Sequence, residues 1–325
     1  MKQLIKLSTL VVAGSLALAG CSVQEIPPHM RPLSKDAVML LGKKGMKTEA
    51  PIFVRIFKEE SELEIWKPRE DGYFYHFKTY PICTWSGDLG PKIAQGDKQA
   101  PEGFYTVPKG LMNPNSSFHL AFNLGFPNAY DRAHRRTGSA LMVHGKCRSA
   151  GCYAMTDALI EEIYALAREQ FGGGHESFQV HAFPFRMTDA NMARHKGSRW
   201  YPFWQTLKEG YDHFETHRQP PHVTVCEKRY HVNAKPVQNA SMRVDAEARC
   251  PALERPKLEP FKPTGNEQVA ETPIVAPGPK LRSLAAASQD PGATAAGVEN
   301  QSGVLSGLLR AQSRPAQSLG YSGGN

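Results

Sequence analysis

Two residues near the middle of the chain could do covalent chemistry together. They are His144 and Cys152, in Leu141-Met142-Val143-His144-Gly145-Lys146-Cys147-Arg148-Ser149-Ala150-Gly151-Cys152. A thiol becomes a strong nucleophile once it loses its proton. An imidazole titrating near neutrality can take that proton and later hand it to a leaving amine. The chemistry is acyl transfer through a thioester, with Cys152 as nucleophile and His144 as general base and acid. The backbone N–H groups of Gly151 and Cys152 are the natural donors to an oxyanion. Gly145 has no side chain, so its backbone can come close to the histidine. The competing reading of Cys152 is an inert buried cysteine, the commonest state of a free thiol.

Elements able to position this pair are legible around it. The apolar run Leu141–Val143 suits a buried strand. Upstream, Ile52–Phe57, Leu63–Trp66 and Tyr73–Tyr80 are rich in β-branched and aromatic residues, with polar turns between them, and predict a β-meander. His76 falls within its third strand as a structural residue. Phe104–Val107, Phe118–Phe122 and Phe178–Phe183 are further strands, and Pro127, Asn128, Asp131, Arg132 and Gly138 mark a loop. Thr156 or Asp157 caps a helix to about Gln170, with Leu159, Ile163 and Leu166 as its apolar stripe. Arg186–His217 is helical; Trp200, Trp204, Leu207, Tyr211 and Phe214 form one face that packs onto the strands. His213 and His217 have the i, i+4 spacing of a metal clamp, but no third ligand accompanies them, and no metal is expected. Val223–Val225 and Lys228–Val232 predict a hairpin. The fold class is β-rich α+β, with flanking helices and a helical C-terminal extension.

Both ends of the chain read differently from its middle. Lys2 and Lys6 precede a short apolar run, Leu10–Ala19, too short to span a bilayer and suited to a secretion signal. It closes in Leu18-Ala19-Gly20-Cys21-Ser22, which resembles the bacterial lipobox, so residues 1–20 are expected to be removed and Cys21 lipidated. Ser22, rather than an aspartate, implies the outer membrane, so the expected location is the periplasm on a lipid anchor. Residues 21–50 then serve as tether and N-terminal helix, 51–185 as catalytic domain and 186–250 as extension. Residues 251–325, dominated by Pro, Ala, Gly and Ser, cannot bury enough surface to fold and are expected to be a disordered tail. In an oxidising compartment five cysteines remain besides Cys21, so at least one thiol stays free, which suits Cys152. Cys226 and Cys250 are the best disulfide candidates; Cys83 and Cys147 either pair or stay buried and reduced. The net charge of +8 fits an anionic polymer such as cell wall, or ordinary solubility. No basic block is interleaved with aromatics, so nucleic-acid binding is excluded.

The His144-Gly145…Ser149-Ala150-Gly151-Cys152 arrangement resembles the active-site motif of the YkuD-type L,D-transpeptidases, in its YafK-like branch. The segment Gln95-Gly96-Asp97-Lys98-Gln99-Ala100-Pro101-Glu102-Gly103-Phe104-Tyr105 resembles that family's upstream Gly-Asp…Pro-x-Gly-x-Phe/Tyr motif. Ala150 stands where the wider family has a second histidine, and the loop between the motif's halves is short, which leaves the acyl acceptor open. The resemblance implies a β-rich catalytic domain without metal or organic cofactor. It implies a partner, the peptidoglycan stem peptide, attacked at the L,D bond after diaminopimelate. An amine resolves the thioester, or water does, the latter detaching wall-linked lipoprotein. It also implies that a carbonyl just after His144 fixes the imidazole tautomer. Arg148 and Ser149, and more weakly Asp131 and Arg132, are candidate substrate contacts, because a guanidinium grips a carboxylate with two hydrogen bonds; solvated loop residues are the alternative. A non-catalytic wall-binding lipoprotein using the same groove is the competing functional class.

Overall fold

Alternating apolar side chains make strands, and here both faces of one sheet find cover. The computed structural model describes residues 25–237 and 244–263. The expected signal segment, Cys21 and the tail beyond residue 263 lie outside them. Elements are numbered in chain order. The larger sheet holds β1 (Phe53–Phe57), β2 (Glu62–Pro68), β3 (Phe74–Pro81), β5 (Gly103–Pro108) and β10 (Ser177–Phe183), in the order β3-β2-β1-β10-β5. β1 and β10 pair in parallel; the other neighbours are antiparallel. A second sheet of short strands runs β4-β9-β8-β7-β6, from β4 (Thr84–Trp85), β6 (Met112–Asn113), β7 (Ala121–Asn123), β8 (Met142–His144) and β9 (Tyr153–Ala154). The helices are α1 (Lys35–Lys43), α2 (Ala129–Ala133), α3 (Asp157–Gly172), α4 (Asp189–Arg194) and α5 (Tyr201–His217). Two small antiparallel pairs follow: β11 (Val223–Cys226) with β12 (Arg229–Val232), and β13 (Lys235–Pro236) with β14 (Leu253–Glu254). The class is mixed α+β and β-rich with flanking helices, as expected. No helix among the described residues is long and apolar enough to cross a membrane.

Period-two alternation divides the large sheet between two cores. Val54, Ile56, Ile65, Val180 and Ala182 join Ile160, Ile163 and Leu166 of α3 and the small sheet's Phe122, Val143 and Tyr153. Phe57 and Phe183 pack instead with Trp204, Leu207 and Tyr211 of α5, while Phe53 and Trp66 meet Phe214. Trp204, Leu207 and Phe214 are fully buried, each contributing about 1.5–3 kcal/mol of apolar burial. Arg55 lies in that interface, donating to Glu64 of β2 and Glu215 of α5 with its guanidinium over the rings of Trp66 and Phe214.

Three expectations change. Phe118–Leu120 is not strand: His119 adopts φ 71° and the strand begins at Ala121. Residues 25–33 are not a free tether, since Arg168 of α3 donates to the carbonyls of His29 and Arg31, and Arg31 to Glu161. The chain from 251 to 263 continues against the body. Leu253–Glu254 pairs with β13, Phe261 N–H donates to Thr216 O, and its ring meets Tyr73 and Tyr75.

The rings of His213 and His217 meet at a tilt with centroids 4.8 Å apart, and the buried His213 Nε2 has no hydrogen-bond partner among the described residues. Burial, and then the neighbouring His217, push the His213 imidazole down to about 4. The folded protein therefore holds this ring neutral where the unfolded chain would protonate it. Stability should be full above about pH 6.5, the ordinary imidazole value, and fall as pH drops toward about 4. Thermal midpoints measured across that window should decline, and His213→Leu should flatten part of the slope; an unchanged slope counts against the assignment.

Candidate active site

The strand pair β8–β9 carries His144 at the end of one strand and Cys152 immediately before the other. Its parallel register sets Val143 opposite Tyr153 and His144 opposite Ala154. Val143 and Tyr153 join the core, His144 is buried at the end of β8, and Cys152, in the bend before β9, is half-buried. Cys152 is the one free cysteine among the described residues. Its Sγ lies 3.4 Å from Met142 N–H and 3.7 Å from Ala140 O, and makes no hydrogen bond to the imidazole in this resting arrangement. Burial raises the Cys152 thiol above its ordinary value, with the Met142 N–H and the charge of Lys92 pulling the other way. Burial lowers His144, against the pull of the Gly145 carbonyl. Both shifts act against the charged forms of the two groups.

His144 Nδ1 is 2.7 Å from Gly145 O. A carbonyl only accepts, so Nδ1 carries the proton and the Nε2 lone pair is left to act as base. The half-exposed Phe118 ring lies over the imidazole with centroids 4.7 Å apart. Gly145 has no room for a side chain: a Cβ would come within 2.5 Å of Asp157 Oδ1 and 3.0 Å of Phe118 O. Its N–H donates to Phe118 O, and Asp157 Oδ1 accepts from Lys146 N–H. Lys146 and Cys147 then take left-handed φ values of 64° and 45°. A disulfide ties Cys147 to Cys83, whose N–H donates to Ala154 O in β9. Closing a 64-residue separation removes about 4 kcal/mol of unfolded-chain freedom. Cys226 and Cys250 form the second disulfide.

The upstream motif lies behind the cysteine loop. Tyr153 Oη donates to Pro101 O, Ser86 Oγ donates to Lys98 O and lies 3.4 Å from Ser149 Oγ, and Gly151 packs near Gln99 O. Glu102 is fully buried. It accepts from Lys58 Nζ at 3.0 Å, Gly90 N–H at 2.7 Å and the Trp204 indole of α5 at 2.9 Å, so the extension holds the segment that backs the site.

Other expected contacts are placed differently. Ser149 Oγ accepts from the N–H groups of Gly151 and Cys152 and donates to Cys152 O, so both expected oxyanion donors are occupied at rest. Arg148 is exposed on the cysteine loop. Asp131 is a correction. It is fully buried, forms a capping box with Asn128 and pairs with Arg136, so its carboxylate builds the α2 loop and cannot face substrate. The Asn128-x-x-Asp131 spacing is a capping signal present in the sequence. Arg132 is exposed and donates to Pro127 O. The surroundings also include Phe118 over the imidazole and the buried Lys92, neither of which is marked in the sequence; Glu102 lies within the upstream motif, but its burial has no signal there.

No family model matches the chain. Sequence similarity does place it: with 48% identity over 190 residues, spanning 58% of this chain and 76% of each relative, the chain belongs to the L,D-transpeptidase family. The relatives so matched are "Putative L,D-transpeptidase YafK" of Escherichia coli strains K12 and O157:H7. Among solved structures, the helical cell shape determining protein Pgp2 from Campylobacter jejuni aligns over 60% of this chain and 80% of its own, at 16% identity and TM-score 0.33. Bd1075 from Bdellovibrio bacteriovorus aligns over 59% and 64%, at 15% identity and TM-score 0.29.

Proposed function

We propose that the protein is a periplasmic, peptidoglycan-modifying cysteine enzyme of the L,D-transpeptidase type, anchored by lipid at Cys21. The observation that supports this reading is a half-buried thiol outside any disulfide, Cys152 just before β9, with the neighbouring strand β8 carrying an imidazole whose Nδ1 is committed to Gly145 O. His144 Nε2 takes the thiol proton as sulfur attacks the carbonyl carbon of the L,D bond after the stem peptide's diaminopimelate. The tetrahedral oxyanion draws the Gly151 and Cys152 N–H groups away from Ser149 Oγ. The C–N bond then breaks, the imidazolium gives its proton to the leaving amine, and a thioester remains. An acceptor amine, deprotonated by the same Nε2, resolves it. Arg148 meets a stem-peptide carboxylate at the mouth of the site.

The test is incubation of the protein with tetrapeptide and lipoprotein-linked muropeptides, with products read by mass. Crosslinked dimers are the expected result. Released stems or freed lipoprotein would assign the same thioester to water. Cys152→Ala should abolish turnover while keeping any binding to sacculi; undiminished turnover by that variant, or no product from the wild type, overturns the reading.

A further inference from the structure

A buried cation, Lys92, packs against the stretch of chain that runs on to Cys152, and it has an apparatus of its own. Lys92 is 4% exposed, although nothing in its sequence context distinguishes it from a surface lysine. Its Nζ donates to Ala94 O at 2.9 Å and to Asp97 Oδ1. Asp97 is the acidic residue of the upstream Gly-Asp motif, and it is itself saturated. Oδ2 accepts from the N–H groups of Ile93 and Ala94, and Oδ1 from that of Gln99. Holding a lysine out of water costs several kcal/mol unless its charge is used or paired, and pairing with one partly exposed carboxylate offsets only part of that.

The segment that seats Lys92 also touches the thiol. Thr137 N–H donates to Ile93 O, and Thr137 Oγ1 accepts from Gln95 N–H. Next comes Gly138 at φ 140°, a conformation that favours glycine, where a Cβ would fall 2.6 Å from Lys92 Cε and push the lysine stem aside. Two residues further, Ala140 O lies against Cys152 Sγ. Thus one stretch, 137–140, is bonded to the lysine loop at one end and to the nucleophile at the other.

We propose that Lys92 is a positioning residue for charge: held by Asp97 and admitted by Gly138, its ammonium favours the thiolate of Cys152. The proposal rests on Cys152 being the nucleophile and assigns the Gly-Asp motif a task, which is to fix this ammonium. The other ionisable groups near the thiol are His144 on β8, Tyr153 on β9, whose phenol is spent on Pro101 O, and Arg148 on the cysteine's own loop. A positive charge close to a partly buried acid lowers its pKa, and Coulomb attraction acts in that sense between Lys92 and Cys152.

The test is the pH profile of Cys152 alkylation by iodoacetamide on the full chain, read on the Cys152 peptide by mass. It needs no muropeptide, so it can fail or succeed independently of the proposed activity. Lys92→Met and Lys92→Gln should move the midpoint up by about 0.5–1 pH unit, which is about 3–10-fold less thiolate at neutral pH. Lys92→Arg should restore it. Asp97→Asn removes the countercharge and should move the midpoint the opposite way, which keeps the test available if the neutral Lys92 variants fail to fold. A midpoint unmoved in the folded variants overturns the proposal.

Discussion

His144→Gln is expected to lower muropeptide turnover about 10²–10⁴-fold, the range for loss of a general base, with the fold retained. The glutamine amide falls at the Nε2 position, whereas His144→Asn puts an amide nitrogen where Nδ1 donates to Gly145 O and is the control that keeps that anchor. What disappears is the basic lone pair at Nε2. Alkylation of Cys152 at high pH should persist in the variant, because there hydroxide replaces the imidazole as base. Full turnover by His144→Gln would assign the base elsewhere. The wild-type pH profile carries a matching expectation. Burial lowers the His144 imidazole, so the neutral base survives to more acidic solution than an ordinary histidine would allow. The acid limb of kcat/KM should therefore lie below about pH 6.5.

Glu102→Ala should destabilise the protein by about 3–5 kcal/mol, the cost of stranding one member of a buried ion pair. Three donors lose their acceptor together: the Lys58 ammonium, the Gly90 N–H and the Trp204 indole. Urea unfolding of the wild type and variant measures the difference. Glu102→Gln, which keeps an acceptor without the charge, should cost less. The double variant Lys58→Met/Glu102→Leu should recover much of the loss, because desolvating two charges offsets most of what their attraction returns. A cost under about 1 kcal/mol for Glu102→Ala would mean that water reaches Lys58. Activity should fall with stability, since Pro101, next in the chain, holds the phenol of Tyr153 beside Cys152.

What could be read in advance was what depends on neighbours in sequence. The meander follows from alternation in 52–80, and the α3 cap from Thr156, whose Oγ1 accepts from Leu159 N–H. Residues whose environment comes from distant chain were hidden. Arg55 looks like the solvent-facing position of a strand until α5 covers it, 160 residues later, with Glu215. Lys58 and Lys92 look like surface cations because the Glu102 carboxylate and the Gly138 space that enclose them are far off in sequence. Phe118-His119-Leu120 has strand composition, yet Gly145 N–H donates to Phe118 O and draws the chain into a turn above the imidazole. The oxyanion donors were named from position alone, and position could not show that the Ser149 hydroxyl rests on them.

The placement of β10 governs when this molecule can acquire its site. β10 comes last of the five large-sheet strands in sequence but lies inside the sheet, with β1 on one side and β5 on the other. Until residues 177–183 exist, β1 and β5 each present an unsatisfied edge and cannot share a sheet. Cys152 and His144 precede that strand, so every reactive group is synthesised before the element that joins the sheet's two halves. A growing chain thus carries a complete motif on an unfinished scaffold. The pairing of β1 with β10 is among the longest-range contacts of the sheet, the kind of contact that slows folding.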